Sequence, residues 1–209
     1  DHATARGAQW QRTRARGFAH VGGRLRAVLT DGGEIAADRA VIAAGIASAS
    51  LARAVGDPIP LASERGYHVE LPRPGVEVPV PVQPADGKMA NTMTHGGLRV
   101  AGQVELAAVS APPDWRRADI LLRHARRAYP GLRTHQGADA PRRWLGHRPS
   151  TPDGLPVLGP AQACGDVFHA FGHGHVGLAA GPASARLVAD LIAGRAPQAD
   201  PRPYRAGRF

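Results

Sequence analysis

Cysteine is almost absent from this 209-residue chain, and an apolar run long enough to cross a bilayer is absent altogether. The single Cys164 excludes an internal disulfide framework and a metal site made of cysteines, and it fits a reducing compartment. With 43% apolar residues and no spanning segment, the composition predicts a soluble globular protein. The first ten residues lack an apolar signal core, so we expect no secretion signal. Because the chain starts without Met and in mid-pattern, we expect a fragment or a processed product.

Lysine is nearly absent too, so the formal net charge of +9 is carried almost entirely by arginine. Clustered basic side chains neutralise phosphates in proteins that bind nucleic acids. Here the arginines are scattered from Arg6 to Arg208, and neither a recognised nucleic-acid module nor an aromatic platform accompanies them. We therefore expect no nucleic-acid partner.

Turn residues divide the first part of the chain into short strands. Gly22-Gly23 and the hairpin signal at Asp31-Gly32-Gly33 separate partly alternating stretches, which predicts a small β-meander over residues 7 to 44. Its last strand, Arg39 to Ala44, is continuously apolar and is predicted to be buried on both faces. The small residues at its end, Ala44-Gly45, either let a planar ligand come close or make a tight strand-to-helix turn.

A second region begins after Gly56, where prolines mark a crossing between domains. Alternating segments between turn residues predict an antiparallel sheet with one covered face, and they span residues 63–71, 76–82, 88–94 and 98–104. Pro79 and Pro81 place the second segment at a sheet edge. A helix that starts after Asp114 is predicted to cover the sheet through residues at helical spacing: Trp115, Ala118, Leu122, Ala125 and Tyr129.

The stretch from Asp166 to Gly194 predicts a short strand, a turn rich in glycine and histidine, and an amphipathic helix. The apolar stripe of the helix consists of Leu187, Val188, Leu191 and Ile192. Such a turn leaves bare backbone N–H groups at the helix start, where the helix dipole favours negative charge. We therefore expect an electron-rich ligand at this turn.

Three hypotheses explain the turn. Residues 172–177 spell G-x-G-x-x-G, a dinucleotide fingerprint, but that motif needs a second strand after the helix and the chain continues into a proline-rich tail. A metal site would use His169, His173 and His175, although no carboxylate or thiolate is fixed nearby. In the third hypothesis, the helix start faces a cofactor that becomes negative during the reaction, and the glycine amides stabilise that charge.

A lone arginine precedes this region in a segment stiffened by proline. Arg148 is followed by Pro149, and a turn signal comes next at Pro152-Asp153-Gly154. A guanidinium on a rigid segment can hold a carboxylate through two parallel hydrogen bonds. The alternative is an ordinary exposed surface arginine.

Two sequence blocks carry a family resemblance. WLGHRPSTPDGLPVLGP, followed by DVFHAFGHGHVGLAAGPASARLVADLIAG, resembles the C-terminal signature of the FAD-dependent D-amino-acid oxidase/dehydrogenase family, which includes glycine and sarcosine oxidases. The likeness is greatest to bacterial D-amino-acid dehydrogenase-type members. VIAAGIAS at 41–48 resembles the family's strand beside the FAD, and SERGYHVEL at 63–71 resembles the start of its substrate-domain sheet. The family's N-terminal βαβ unit is not found in this chain.

The resemblance implies an α+β fold class, in which an α/β FAD-binding remnant joins an antiparallel-sheet substrate domain. This is an incomplete FAD-binding fold without the N-terminal βαβ unit. Residues 1–56 are then a partial FAD-binding domain, and residues 57–140 are the substrate-binding sheet with its covering helix. Residues 141–209 return to the FAD-binding domain with the flavin-contacting loop and the C-terminal helix.

The resemblance also assigns roles to residues. Arg148 falls on the arginine that binds the substrate carboxylate, and Tyr67 and His68 fall in the substrate pocket, with Met93 and His95 as weaker candidates. It implies no metal site. The cofactor-binding residues that it implies are Arg16 near the adenine, Ala44 and Gly45 beside the FAD, and a flavin-contacting loop made of Gly172, His173, Gly174, His175, Val176, Gly177 and Leu178.

The implied activity is oxidative deamination of a D-amino acid or a related secondary amine, with FAD as cofactor and hydride transfer to flavin N5. The implied partners are the small amine substrate and the upstream half of the same protein. Electrons pass on to oxygen or to a quinone, so the expected location is the cytoplasm, or a peripheral position on the inner membrane. We expect the fragment alone to be inactive. The alternative, from another class, is a non-catalytic substrate-domain module that binds small carboxylates or a partner.

Overall fold

The structure, a computed structural model, describes residues 2–209 of the chain. The described residues form two compact units: a split unit, residues 2–61 with Thr151–Phe209, and an inserted unit, Ala62–Ser150. The predicted substrate-binding segment, residues 57–140, does not include the last strand of the inserted unit. That strand pairs with the first strand of the same unit and therefore belongs to its sheet. The assignment of FAD-binding and substrate-binding roles to these parts stays a prediction.

Ten strands and four α-helices make up the described residues, together with short 3₁₀ turns. The strands are β1 (Ala15–Val21), β2 (Arg24–Thr30), β3 (Gly33–Ala36), β4 (Ala40–Ile42), β5 (Ala62–Leu71), β6 (Met89–Thr94), β7 (Gly97–Leu106), β8 (Arg142–Ser150), β9 (Val157–Pro160) and β10 (Val167–Phe171). The helices are α1 (His2–Ala5), α2 (Ser48–Ala54), α3 (Arg116–Ala128) and α4 (Gly177–Ile192). The 3₁₀ turns are Gly45–Ala47, Gly137–Asp139, Arg202–Tyr204 and Ala206–Arg208.

The split unit contains two small sheets. The first is the antiparallel meander β1-β2-β3, whose first turn is made by Gly22 and Gly23 with positive φ angles of 58° and 76°. The second has the strand order β4-β10-β9, with β4 parallel and β9 antiparallel to β10. The predicted meander is therefore confirmed for β1 to β3, which cover residues 15–36, whereas the predicted last strand belongs to the second sheet because it pairs with β10.

The expectation that the strand at Arg39 to Ala44 is buried on both faces is wrong. The strand is shorter, Ala40–Ile42, and Val41 is 47% exposed. Among the residues that the structure describes, β4 pairs only with β10, so it is an edge strand of this sheet. Ile42 is the residue of β4 that reaches the core of the split unit.

The inserted unit is an antiparallel sheet of strand order β6-β7-β5-β8 with α3 packed on one face. The sequence pattern does not predict β8, and it wrongly predicts a strand at 76–82, where only Val82 makes a β-bridge, to Asn91. Pro79 and Pro81 have no N–H group to donate to a ladder, which explains the missing strand.

Alternate residues of β5 pack under α3. Tyr67, Val69 and Leu71 share a core with Leu121 and Ala125 of the helix. Leu121 is fully buried, whereas Leu122 of the predicted apolar stripe is only partly buried. The core therefore lies on one face of the sheet, and the residues between those of the core project to the other face.

Candidate functional site

Two neighbouring strands of the split unit end at the same edge of their sheet. β4 and β10 run parallel, with Ala40 opposite Val167 and Ile42 opposite His169. Ala44-Gly45 after β4 and the glycine-rich turn after β10 therefore both leave the sheet from its carboxyl edge. Ligands of open α/β sheets bind in the crevice outside this edge. Two segments that the sequence predicts to bind the cofactor thus share one edge.

The turn after β10, which we call the glycine turn (residues 172–176), depends on glycine. Gly172 and Gly174 have positive φ angles of 85° and 53°, where other residues are strained. A Cβ at Gly172 would also lie 3.1 Å from Cγ2 of Thr151. The N–H of Val176 donates to the carbonyl of His173 at 3.1 Å, which closes the turn just before α4.

Helix α4 starts directly after the glycine turn. Within residues 2–209, no side chain caps its first turn. The residues at its start are open to solvent, with Leu178 97% exposed and Val176 55% exposed. An uncapped helix start offers N–H donors and the positive end of the helix dipole. The arrangement can stabilise negative charge on a bound group.

His173 anchors the glycine turn to α4 instead of projecting from it. Its Nε2 lies 2.9 Å from Oγ of Ser184, and its Cβ packs beside Gly177. Burial lowers the pKa of His173 below its ordinary value, so the neutral imidazole is favoured. The ring therefore positions the turn, and the backbone is left to meet a ligand.

Residues 2–209 do not show the structural context that the metal-site hypothesis or the dinucleotide hypothesis requires. His169 is fully buried and paired with Asp57, and residues 2–209 contain no cluster of three or more His, Cys, Asp or Glu side chains arranged to hold a metal ion. In the same part of the chain, α4 is followed by 3₁₀ turns and not by the strand that a dinucleotide-binding βαβ unit requires.

The inserted unit presents Arg148 on the sheet face that α3 does not cover, which we call the Arg148 face. Strand register places Glu64 opposite Arg148, Gly66 opposite Gly146 and His68 opposite Trp144. Paired residues of antiparallel strands project to the same side of a sheet. The Arg148 face therefore carries Glu64, Gly66, His68, Trp144, Gly146 and Arg148.

The guanidinium of Arg148 lies on the backbone of Gly66. A Cβ built on Gly66 would overlap Cζ, Nη1 and Nη2 of Arg148. Nη1 is buried and has no hydrogen-bond partner among the described residues. Burial lowers the pKa of Arg148, and the Glu64 carboxylate opposes this shift. A buried guanidinium nitrogen without a partner fits the binding of a carboxylate.

Next to this arginine lies an aromatic pair. The rings of His68 and Trp144 are stacked, with centroids 4.7 Å apart and planes 15° apart. Burial lowers the pKa of His68, the positive charge of Arg99 adds to this effect, and Glu70 opposes it. His68 is therefore favoured as a neutral ring beside Trp144.

The structure does not bring Tyr67 to the Arg148 face, because neighbouring residues of a strand point to opposite sides. Tyr67 is 1% exposed beneath α3. Its hydroxyl donates to Glu105 at 2.6 Å and accepts the N–H of Asp114 at 3.0 Å. Burial and the hydrogen bond to Glu105 raise its pKa. This placement makes Tyr67 a link between the sheet and the start of α3.

The remaining predicted site residues are placed separately. Arg16 is on β1, where its Nη2 donates to Asp31 at 3.0 Å. The N–H of Ala44 donates to the hydroxyl of Ser48 at 3.0 Å, and Gly45 has a positive φ of 57° at the start of a 3₁₀ turn. Met93 and His95, the weaker candidates, are exposed at the end of β6 and in the turn after it. The functional roles of all these residues stay predictions.

Sequence reasoning does not single out Gly66, Gly146 and Trp144. A signal for two of them is present, because W-x-G-x-R places Trp144, Gly146 and Arg148 at every second position, on one face of a strand. Gly66 has no such signal, since its position under Arg148 depends on the pairing of β5 with β8.

Comparison with known proteins agrees with this fold. Residues 1–191 match the family model DAO, described as FAD dependent oxidoreductase. The chain therefore belongs to this family of FAD-dependent oxidoreductases, whose cofactor is FAD. The glycine turn fits such a cofactor, because two of its residues are glycines at positive φ and it leads directly to an uncapped helix start that can stabilise negative charge.

Individual relatives place the chain within this family. It is 46% identical, over all of its length, to a D-amino-acid oxidase of Bradyrhizobium diazoefficiens, of which it spans half. It is 37% identical to an uncharacterized oxidoreductase in the pyp 5' region of Halorhodospira halophila, and the match covers 99% of this chain and 94% of that protein. The fold matches glycine oxidase from Geobacillus kaustophilus with a TM-score of 0.79 and 24% identity, over 96% of this chain and 53% of that protein.

Within residues 2–209, no helix has the length and apolar character to span a bilayer.

Proposed function

We propose that the chain is part of a flavin-dependent oxidoreductase that oxidatively deaminates a D-amino acid or a related secondary amine. In this proposal, Arg148 binds the substrate carboxylate and the glycine turn contacts the flavin. The family membership supports an FAD-dependent oxidation. The name of the Bradyrhizobium relative, D-amino-acid oxidase, supports the choice of substrate.

The observation that carries the proposal is the environment of the Arg148 guanidinium. Its Nη1 is buried without a hydrogen-bond partner among the described residues, and the guanidinium lies on a residue without a side chain. An arginine that serves only solubility keeps its head in water. A guanidinium held in this way is arranged to receive an anion with fixed orientation, and a carboxylate matches its geometry.

Each part of the chain has a defined task in this function. FAD, when bound, supplies the acceptor for the two electrons of the oxidation. Arg148 holds the carboxylate and so restricts the orientation of the substrate, which is the main contribution of a positioning group to rate. The amides of the glycine turn and the start of α4 stabilise negative charge on the bound cofactor. A substrate that arrives with a neutral amine requires no side-chain base.

Anaerobic titration tests the proposal. FAD bound to the oxidoreductase of which this chain is part should lose its visible absorbance when D-amino acids are added. It should keep its absorbance when the L enantiomers are added. Re-oxidation by oxygen or by a soluble quinone then identifies the electron acceptor. In the reactive protein, Arg148→Ala should raise KM strongly with flavin still bound. Unchanged absorbance with every D-amino acid and with glycine and sarcosine would overturn the proposal.

A second function is favoured by one observation, the fact that the chain spans half of the Bradyrhizobium oxidase. In this alternative, the 209-residue chain is a non-catalytic substrate-domain module that binds small carboxylates through Arg148 or binds a partner. The two candidates differ in a simple measurement. Benzoate binding that depends on Arg148, without any flavin reduction by D-amino acids, supports the alternative. Flavin reduction by the chain itself excludes it.

A further inference from the structure

We propose that Gly66 is a positioning residue for Arg148, and that its missing side chain allows the guanidinium to lie flat on β5 and present its donors to a carboxylate. This inference rests on the carboxylate-binding role of Arg148 in the proposed function. It assigns the position of the guanidinium of Arg148, on β8, to a residue on the neighbouring strand β5.

The contact is made by the face of the guanidinium. A Cβ on Gly66 would be almost equally close to Cζ, Nη1 and Nη2 of Arg148. A point in the guanidinium plane between Nη1 and Nη2 would be clearly closer to the two nitrogens than to Cζ, so the nearly equal distances place this Cβ out of the plane. The N–H groups of a guanidinium lie in its plane. They are therefore directed along the surface of the sheet, where a carboxylate can accept two parallel hydrogen bonds.

Strand register explains why the position under the guanidinium is residue 66. Arg148 is opposite Glu64, and the next residue of β5 on the same face is Gly66. The side chain of Arg148 extends along the sheet to this neighbouring position. Any Cβ there would occupy the space that the guanidinium now fills. The conformation of Arg148 thus requires glycine at 66.

A second glycine extends this bare surface. Gly146 is opposite Gly66 in the β5–β8 register, so their Cα atoms are about 4.5 to 5.5 Å apart. A Cβ on Gly146 would overlap the six-membered ring of Trp144. The guanidinium and the indole therefore rest on paired glycines, one on each strand. Arg148 lies on Gly66 and Trp144 lies on Gly146, so the two contacts can be tested independently by substituting one glycine at a time.

The two effects of filling the Gly66 position have opposite signs. Glycine inside a strand costs about 0.5 to 1 kcal/mol relative to alanine, so Gly66→Ala favours the strand itself. The three atoms nearest to the new methyl group all belong to the end of a long, flexible side chain, which can move away. The fold should therefore tolerate Gly66→Ala, while the guanidinium loses its position. A displacement of about 1 Å in a positioning group is enough for losses on the order of 100-fold.

Benzoate binding measured by calorimetry on the 209-residue chain tests the inference without any redox step. Gly66→Ala should weaken benzoate binding by about 10- to 100-fold and leave the thermal midpoint unchanged or raised. Arg148→Ala should remove most of the binding. In the Arg148→Ala background, Gly66→Ala should cause no further loss, because no guanidinium remains to be displaced. In the protein that reduces flavin with D-amino acids, Gly66→Ala should raise KM by a larger factor than it lowers kcat.

Gly17→Ala is the matched control, since Gly17 also lies in a strand and a Cβ there would have only ordinary contacts, 3.9 Å from Ala54 and Leu29. It should leave benzoate affinity unchanged. An affinity for benzoate in Gly66→Ala equal to that of the parent chain, with Arg148 still required, would overturn the inference and keep the proposed function. Binding that does not depend on Arg148, or no binding by the parent chain, overturns both.

Folding of the variants gives a second measurement. If Gly66→Ala unfolds while the Gly66→Ala, Arg148→Ala double variant folds, the clash with the guanidinium is demonstrated by stability, and the inference is supported. If both variants unfold, the cost comes from the backbone at residue 66, and the inference is wrong.

Discussion

Nε2 of His169 lies 2.7 Å from Oδ2 of Asp57, and both side chains are fully buried in the split unit. Asp57 also accepts hydrogen bonds from the backbone N–H and the side-chain amide of Gln162, at 3.1 and 2.9 Å. Burial lowers the pKa of His169 although the Asp57 carboxylate opposes the shift, so the neutral imidazole donates to Asp57. The pair ties the corner after α2 to β10, the strand that leads into the glycine turn.

Replacing Asp57 should destabilise the split unit strongly. Asp57→Ala removes the acceptor of the buried Nε2 of His169 and of two partly buried donors on Gln162, and an unsatisfied buried donor costs about 1 to 3 kcal/mol. We expect a loss on the order of 3 kcal/mol in the free energy of unfolding, measured by urea denaturation. The exposed Asp38 provides the control, since Asp38→Ala should change stability by less than about 0.5 kcal/mol. A small loss in Asp57→Ala would show that the pair contributes little.

Stability should fall on the acidic side of neutrality because of the buried His169 and the partly buried His173. Burial lowers the pKa of His169 and of His173 below the ordinary 6.5, so the unfolded chain takes up protons more readily than the folded chain. Their contribution is complete above about pH 6.5 and is lost as the pH falls below it. Urea midpoints on both sides of this pH should show the slope, and His169→Gln should reduce it. The control is the exposed His20→Gln, and an equal reduction there would contradict the assignment.

A second pH dependence, at lower pH, should come from Asp153. Nε of Arg208 donates to Asp153 at 2.7 Å, and this hydrogen bond lowers the pKa of the carboxyl group from 3.8 to about 2. The stabilisation is therefore present above about pH 3.8 and is lost as the pH falls towards 2. Asp153 is 37% exposed, so screening keeps the contribution below about 1 kcal/mol.

Arg208→Gln should remove this acidic dependence, measured as the thermal midpoint against pH. Arg208 also donates to the carbonyl of Leu155 at 2.7 Å, so some stability should be lost at neutral pH as well. Arg205→Gln changes an exposed arginine in the same tail and is the control. A midpoint that falls with acid equally in Arg208→Gln and in the parent chain would exclude Asp153 as the source.

Substituting Gly172 should damage the glycine turn and the binding of FAD together. Gly172→Ala forces a side chain into a φ of 85° and brings its Cβ to 3.1 Å from Thr151. Strain of this kind costs about 1 to 3 kcal/mol. We expect a matching loss in unfolding free energy and weaker FAD binding, measured by fluorescence titration of the flavin. Gly165→Ala, where a Cβ meets nothing within 4 Å, should affect neither quantity, and FAD affinity unchanged in Gly172→Ala would remove the turn from the cofactor site.

The elements that local sequence patterns predict are those whose stabilising contacts are local. Helix α4 is predicted because its apolar residues recur at helical spacing and Gly194, with a positive φ of 66°, follows it. The β1-β2 hairpin is predicted because Gly22-Gly23 supports its turn. β8 is not predicted, because Gly146 and Pro149 interrupt the pattern of a strand and its stability comes from pairing with β5.

In the candidate site, too, the features that sequence predicts are the local ones. Arg148 and the glycine turn are found from sequence through local features, a proline after the arginine and glycines before a helix. Tyr67 and His68 are neighbours in sequence, but the strand period separates them, so that His68 stacks on Trp144 while Tyr67 is buried under α3. Which of two adjacent residues faces the site depends on which face of the sheet the helix covers.

The sequence by itself therefore determined the family, the backbone conformation of the glycine turn and the arginine expected to bind the carboxylate, because each depends on residue types that are close along the chain. Only the tertiary structure decided that Gly66 lies under Arg148 and that Asp57 is buried against His169. Both relationships join residues that are far apart in sequence. They follow from strand register and from packing in the core, which local sequence patterns do not specify.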